Sequence, residues 1–334
     1  MNNFNKRINL NVPLKDLSLI VCSQYNLGEF INNKLIKIGY EDYNYILTTS
    51  KGKFVVKVFS NERTDEDCVH LAERASVPID YGLSCPKIYK VDNNALSIIS
   101  LKDNKYRLIV MDYIDGKDFF TLQQLPNEHE IKLIAQELAK LNQIQYNPPL
   151  IYDKWAIVNF AKEYENYKDI LDKENQSELE KVYQMFLNVD FSKLKYGYVH
   201  GDIIETNVIK SNNGEKLYFI DFSVANYLPR IVDIAVTICD LCLDLDDVNV
   251  SKQRIKEFLS SYGSISSLSK YEKECLKVFL LTHQANTILQ TTKEKKILNN
   301  DSQENESFLR KSKLGLKLML SNNSFSEIKC SKTI

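Results

Sequence analysis

No apolar run in this chain of 334 residues approaches the roughly 20 needed to cross a bilayer, which argues against a membrane-spanning protein. Charge of one sign is also missing: 43 Lys and Arg stand against 44 Asp and Glu, a net charge of -1, so no broad basic field draws the chain to nucleic acid. Glycine and proline are sparse, at 10 and 7, and no stretch rich in them or in serine reads as a linker. Neither an internal repeat nor a heptad array is present. Of the seven cysteines, Cys239 and Cys242 form a CxxC pair, but Cys22, Cys68, Cys85, Cys275 and Cys330 stand alone without histidines at ligand spacing. A structural zinc is therefore not expected. The absence of a signal sequence and the unpaired cysteines point to free thiols in a reducing, cytoplasmic compartment. A hydrophobic content of 44% suffices for two lobes around a shared cleft.

Against these absences one segment is dense with chemistry. From Tyr198 to Ile209 the chain reads YVHGDIIETNVI, and from Tyr218 to Phe222 it reads YFIDF. An alcohol is a poor nucleophile at neutral pH, so phosphoryl transfer to it needs a carboxylate that orients the hydroxyl and accepts its proton. Asp202 is the candidate. Asn207 offers an amide oxygen and Asp221 a carboxylate, the hard oxygen ligands magnesium prefers beside nucleotide phosphates. Between them Val208 to Lys210 and Leu217 to Ile220 read as two strands of a hairpin, with Gly214 supplying a permissive turn. Such a hairpin sets the two ligands side by side.

The ordered set HGDxxxxN followed by IDF resembles the active-site signature of the aminoglycoside phosphotransferase and choline kinase superfamily, relatives of protein kinases. The run GYEDYNYILTTSKGKFVVKVFSNERTDED from Gly39, with Gly82-Leu-Ser-Cys-Pro86 after it, is most similar to type II homoserine kinases. The resemblance implies an α+β, bilobal protein-kinase-like fold. An N-terminal lobe of antiparallel sheet would span residues 1–113 and a mainly helical catalytic lobe 114–334, with a hinge near 111–116. It further implies ATP and Mg2+ as cofactors and a small hydroxyl-bearing substrate. Met111 and Tyr113, in the hinge-like run from Arg107 to Gly116, would lie against the nucleotide. His200 and Gly201 would shape the loop that presents Asp202, and Asp233 would brace that loop. The family pattern LAxLH is replaced here by Leu138-Ala-Lys-Leu-Asn142, so Asn142 is expected to take over a hydrogen-bonding role.

The upstream half meets the demand of such a fold for strands that deliver a lysine to phosphates. Residues 34–38, 44–49 and 53–59 are β-branched and aromatic runs, and alternation in the third puts Val55, Lys57 and Phe59 on one face. Lys57 is the expected phosphate ligand. A helix from Thr64 to Ala75 follows, where Glu73 is preferred over Glu66 as the partner of Lys57, since Glu73 sits among Val69, Ala72 and Ala75 at helical spacing while Glu66 falls in the first turn and serves the helix dipole. Pro78 is expected to end or kink this helix. No GxGxxG loop is present; the run from Ile38 to Tyr45 carries one glycine.

Beyond the hinge, Asn127 with Glu130 reads as a capping box before an apolar stripe of Ile131, Ile134, Ala135, Leu138 and Leu141. Residues 228–244 read as one buried helix begun after a proline. Acidic residues Asp240, Asp244, Asp246 and Asp247 crowd its end, mostly as a solvated face, though one could meet a cationic substrate group. Residues 252–262 and 271–292 are helical by periodicity, with His283 beside Leu276, Phe279 and Leu280, as packing residue or substrate contact. A last helix near Ser307 to Leu320 precedes a tail expected to be loose.

The expected activity is transfer of the γ-phosphoryl group of ATP to the hydroxyl of a homoserine-like amino alcohol or hydroxy amino acid. A carboxylate-bearing acceptor would need a cation such as Arg230, Lys117 or another basic residue. Aminoglycoside or choline/ethanolamine-type kinases use the same parts, and an inactive nucleotide-binding module is the reading from a different class. A protein kinase fits less well, because no APE-like segment follows Asp221. No nucleic-acid or membrane partner is expected.

Overall fold

The computed structural model describes residues 3–36, 42–214 and 216–321. The end of the first expected strand, the first half of the loop with its single glycine, and the tail from residue 322 lie outside the described residues. The chain divides into two compact units, residues 1–116 with 211–223, and residues 117–210 with 224–334. The division is not a single cut, since the segment holding Asp221 returns to the first unit.

In the first unit, helices α1 (Asn3–Arg7) and α2 (Leu14–Gln24) precede strands β1 (Phe30–Ile36), β2 (Tyr43–Thr49) and β3 (Gly52–Val58). Helix α3 (Asp65–Asp80) and strands β4 (Ile88–Tyr89), β5 (Ser97–Leu101) and β6 (Asn104–Asp112) follow. The strands form one antiparallel sheet in the order β1-β2-β3-β6-β4, with β5 also paired to β6. Alternation decides which side each residue serves. Phe54, Val56 and Val58 of β3 join Tyr45, Leu108 and Val110 in a core closed by Leu17, Val21 and Cys22 of α2. Lys57, between two of these residues in sequence, points away from that core.

Helix α3 begins at a full capping box, in which the Thr64 hydroxyl accepts from the Asp67 N–H and the Asp67 carboxylate accepts from the Thr64 N–H. Contrary to expectation, Pro78 does not end it. The proline occupies the last turn, the helix runs two residues further, and Ser76 Oγ donates to the Ala72 carbonyl at 2.9 Å just upstream. Because only two helical residues follow Pro78, a distortion there displaces little of the helix, so the cost falls below that of a mid-helix proline.

The second unit opens with β7 (Gly116–Asp118) at its boundary and the helices α4 (Phe119–Leu122), α5 (Glu128–Leu141), α6 (Phe160–Tyr167) and α7 (Lys173–Leu187). Strand β8 (Tyr196–Val199) leads into the HGD loop, and β9 (Val208–Ser211) forms the expected hairpin with β10 (Leu217–Phe219), which lies in the segment that returns to the first unit. Its turn is closed by Ser211 N–H donating to the Lys216 carbonyl at 3.0 Å, with Gly214 at φ +72°. The expected capping box of α5 is present, Asn127 Oδ1 accepting from the Glu130 N–H at 3.0 Å.

Residues 226–242 depart from the expected single helix. Asn226–Pro229 is a strand, β11, paired antiparallel with β8; α8 (Ile231–Thr237) follows, and the chain then widens into a π-helix over Ile238–Cys242. Periodicity could not separate these, because Arg230, Asp233, Thr237 and Asp240 recur at helical spacing and so read as one continuous helix. The helices α9 (Val248–Gly263), α10 (Lys270–Leu298) and α11 (Gln303–Ser321) complete the unit, α10 packing against α6, α7, α8 and α11. No helix among the described residues is long and apolar enough to cross a membrane.

Candidate active site

In the first unit, β3 and the segment after β10 bring a cation and a carboxylate together. Lys57 Nζ lies 2.8 Å from Asp221 Oδ1 and donates to Ser223 Oγ at 2.7 Å, while Ser223 Oγ also donates to Asp221. The second carboxylate at Lys57 is Asp42, 3.4 Å away. Burial opposes the charge on this lysine, but Asp221 and then Asp42 outweigh it, and its pKa stands above the ordinary lysine value. Asp221 holds a left-handed backbone, φ +63°, a conformation that aspartate tolerates better than most residues. Its side chain is 43% exposed, so the carboxylate is open to a ligand. A pocket beside the pair is walled by Phe59, Leu71, Ile88, Ile109, Met111 and Phe222. This joins an apolar chamber to a polar end, a shape suited to a base with phosphates attached.

The candidates for the nucleotide fare unequally. Met111 lines the pocket with Lys57. Tyr113 is not among its lining residues and instead sits under the Lys53 ammonium, 5.3 Å from the ring centre. Glu73 is exposed on α3, whose buried face carries Cys68, Leu71, Ala72 and Arg74, and the carboxylates at Lys57 are Asp42 and Asp221. The pairing expected of Glu73 is thus corrected: the turn of the helix that buries Ala72 and Arg74 carries Glu73 outward.

In the second unit the HGD loop is held from behind. Asp233, fully buried near the start of α8, accepts from the backbone N–H of His200 at 2.9 Å and of Gly201 at 2.7 Å. Asn142 Nδ2 donates to the same carboxylate at 2.8 Å and to the Tyr198 carbonyl at 3.0 Å, while Tyr262 donates its hydroxyl to Asn142 Oδ1 at 3.0 Å. The hydrogen-bonding role expected of Asn142 is therefore present. The Asn142 backbone also presses on β8 so closely that a Cβ at Gly197 would lie 2.0 Å from its carbonyl oxygen. Gly201 turns the loop at φ +83°, a conformation that favours glycine.

On the open side of this brace, Asn207 Nδ2 donates to Asp202 twice, to Oδ2 at 2.6 Å and to the backbone carbonyl at 2.9 Å. Both amide hydrogens are thereby spent, and the Asn207 oxygen is the atom left to meet a cation. His200 is wholly buried and accepts the Asp202 N–H at its Nδ1, 3.3 Å away, which makes it a loop support. Among the described residues no group of three or more His, Cys, Asp or Glu could hold a metal by itself. The Asn207 amide oxygen in this unit, like the half-open Asp221 carboxylate in the first, is a hard oxygen donor of the kind that suits magnesium.

Burial drives the Asp233 carboxyl up to about 6, although the bonds from Gly201, Asn142 and His200 pull the other way. Because this exceeds the ordinary value of 3.8, the group favours the folded state most below about pH 4, and that contribution is lost as pH rises through about 6. Activity has the opposite slope, since only the carboxylate can accept all three donors. We expect kcat/KM to fall below about pH 6 as Asp233 takes up a proton. Asn142→Leu, which removes one donor, should move that limb up by about one unit in a pH-rate profile.

Other residues considered for the substrate are placed in the second unit too. Arg230 forms a buried two-point ion pair with Glu272, Nε to Oε1 at 2.7 Å and an Nη to Oε2 at 2.9 Å, and donates to Ser266 and Ser267. Burial weighs against the Glu272 charge, yet Arg230 holds its carboxyl below the usual range. This arginine is committed to structure. Lys117 is exposed. His283 Nε2 lies 2.8 Å from Asp240 Oδ2, the acidic residue of the π-helix, so it is more than an apolar packing residue.

The comparisons with known proteins bear on this arrangement. Residues 33–259 match the model of the phosphotransferase enzyme family abbreviated APH. The chain belongs to that family. This phosphotransferase is 27% identical over 260 residues to a homoserine kinase of Methylobacillus flagellatus, covering 74% of this chain and 75% of the relative. A microcompartment-associated aminopropanol kinase superposes with a TM-score of 0.68 at 11% identity, covering 95% of this chain and all of the other. An amicoumacin kinase solved in complex with AMP-PNP, Ca2+ and Ami gives 0.65 at 17% identity, covering 91% of this chain and 92% of that one. The chain is a small-molecule kinase of mixed α+β, protein-kinase-like fold.

Proposed function

We propose that this kinase transfers the γ-phosphoryl group of ATP to the hydroxyl of a homoserine-like hydroxy amino acid or amino alcohol. The observation that carries the reading is the pair of hydrogen bonds that the Asn207 amide donates to Asp202, which fixes a carboxylate at a loop that is braced on its buried side. Sequence likeness to homoserine kinases across three quarters of both chains supports the acceptor class.

In this reading Asp202 aligns the attacking hydroxyl and accepts its proton, and Lys57 neutralises the α and β phosphates. Met111 contributes to the apolar wall for the base. Asn207 and Asp221 would hold a magnesium ion, which would supply positive charge to offset that of the nucleotide phosphates. Asp233, Gly201, His200 and Asn142 keep the loop in one conformation, so the catalytic carboxylate arrives already positioned. A transition state with little covalent participation by protein gains mainly from such fixed charges.

A second reading, an acceptor without a carboxylate such as a choline or ethanolamine-type amino alcohol, is favoured by the commitment of Arg230 to Glu272. ADP release from the purified protein with ATP and magnesium, measured against homoserine, amino alcohols, sugars and aminoglycosides with Asp202→Asn as control, separates the two. Homoserine should stimulate release well above background ATPase. Stimulation by amino alcohols alone would select the second reading, and a nucleotide-dependent thermal shift with no turnover on any acceptor would mark an inactive module.

A further inference from the structure

The lysine of β3 needs a fixed partner, because a long flexible ammonium loses rotamer entropy when held and must be aimed before phosphates arrive. Helix α3 offers none. Its acidic residues Asp65, Glu66, Glu73 and Asp80 are exposed, and Asp67 is spent on the Thr64 cap. The α3 residues that reach the pocket of Lys57 are Leu71 and Ala75, which carry no charge.

Asp42 stands at the entry to β2, whose residues Tyr43 and Asn44 pair with Val58 and Lys57 of β3. Its side chain is 4% exposed and that of Lys57 is 9% exposed. One carboxylate oxygen is fully occupied, accepting from the Ser60 N–H at 3.0 Å and from Arg63 Nε at 3.2 Å. The other oxygen is thereby aimed at Lys57 Nζ, 3.4 Å away. A buried carboxylate oriented by two donors is a rigid counter-charge, and Asp221, the other carboxylate at the lysine, is the more exposed of the two.

We propose that Asp42 is the residue that positions Lys57 for the nucleotide phosphates, in place of a glutamate from the following helix, an inference that rests on the phosphate role given to Lys57 above. The lysine is then set by the strand frame of β2 and β3 and not by α3. When Asp221 turns to a metal ion, Asp42 keeps the ammonium in place. Among the described residues the helix has no ion pair to Lys57 to break, its Asp65–Arg107 pair with β6 lying apart from that lysine, so Lys57 is set without a helix-driven switch.

The test compares Asp42→Asn, Asp42→Glu, Glu73→Gln and Lys57→Met in the full chain. Asp42→Asn should lower kcat/KM for ATP by about tenfold to a hundredfold, the worth of a charge-assisted bond, while leaving KM for the hydroxyl acceptor unchanged. Labelling of Lys57 by an acyl-phosphate derivative of ATP, located by peptide mass spectrometry, should drop in parallel and needs no acceptor. Asp42→Glu should recover part of both losses, and Glu73→Gln should stay within about twofold of the parent. A merely structural Asp42 would lower the unfolding temperature without separating the two KM values. Should Asp42→Asn not fold, Asp42→Ser gives a second neutral variant read in the same way. An Asp42 variant with unaltered labelling and kinetics, or a tenfold loss in Glu73→Gln, overturns the inference. Retention of activity by Lys57→Met would instead overturn the phosphate role itself.

Discussion

Asp202→Asn is expected to lower kcat by about three orders of magnitude, on the order of 4 kcal/mol of transition-state stabilisation, with nucleotide affinity kept within a few fold. The substitution is nearly isosteric, and the oxygen it retains can still accept from Asn207, whose amide now binds Asp202 at 2.6 Å. Loop geometry therefore survives while the proton acceptor is lost. The Asp233 brace acts on His200 and Gly201 backbone and is untouched by the change. The deciding measurement is single-turnover phosphorylation with MgATP beside direct nucleotide binding. Near-normal turnover in a folded Asp202→Asn protein would remove the assigned base and with it the mechanism.

Asp221→Asn should cost about as much by a different route, roughly a hundredfold to a thousandfold in kcat/KM, with the magnesium dependence shifted to higher concentration. Asparagine accepts the left-handed backbone found at this position, so the substitution tests charge more than conformation. Lys57 loses its nearest carboxylate and retains Asp42 at 3.4 Å. The lysine should thus stay placed, and excess magnesium should restore part of the rate. A loss indifferent to magnesium would assign Asp221 to lysine placement and not to the metal.

The two variants probe parts that differed in legibility. Asp202, Asn207 and Asp221 stand in one short stretch whose order and spacing are themselves the signal, and the capping box at Asn127 and the alternation around Lys57 are equally local. Asp42 carried no comparable mark. It lies in the same glycine-containing run used for the resemblance, but its value comes from Ser60, Arg63 and Lys57, all brought to it by strand pairing. Glu73 illustrates the converse error: helical spacing near Val69, Ala72 and Ala75 suggested an inward face, yet it is Arg74 that is buried and Glu73 that is exposed. The recurrence of Arg230, Asp233, Thr237 and Asp240 at helical spacing reads as one continuous helix, so strand β11 before it and the π-helix at Asp240 went unread.

Sequence by itself determined the reaction class and the strand and helix periods that carry Lys57 and the HGD loop. Those properties follow from side-chain chemistry and from repeats of two or 3.6 residues, which act over short distances along the chain. Tertiary structure alone decided that Asp42 meets Lys57, that Asn142 and Tyr262 secure Asp233, and that Arg230 belongs to Glu272. Each of those contacts joins buried polar groups from different elements, and a buried charge takes whichever partner packing delivers, because leaving it unpaired in a low-dielectric interior costs more than any local preference supplies.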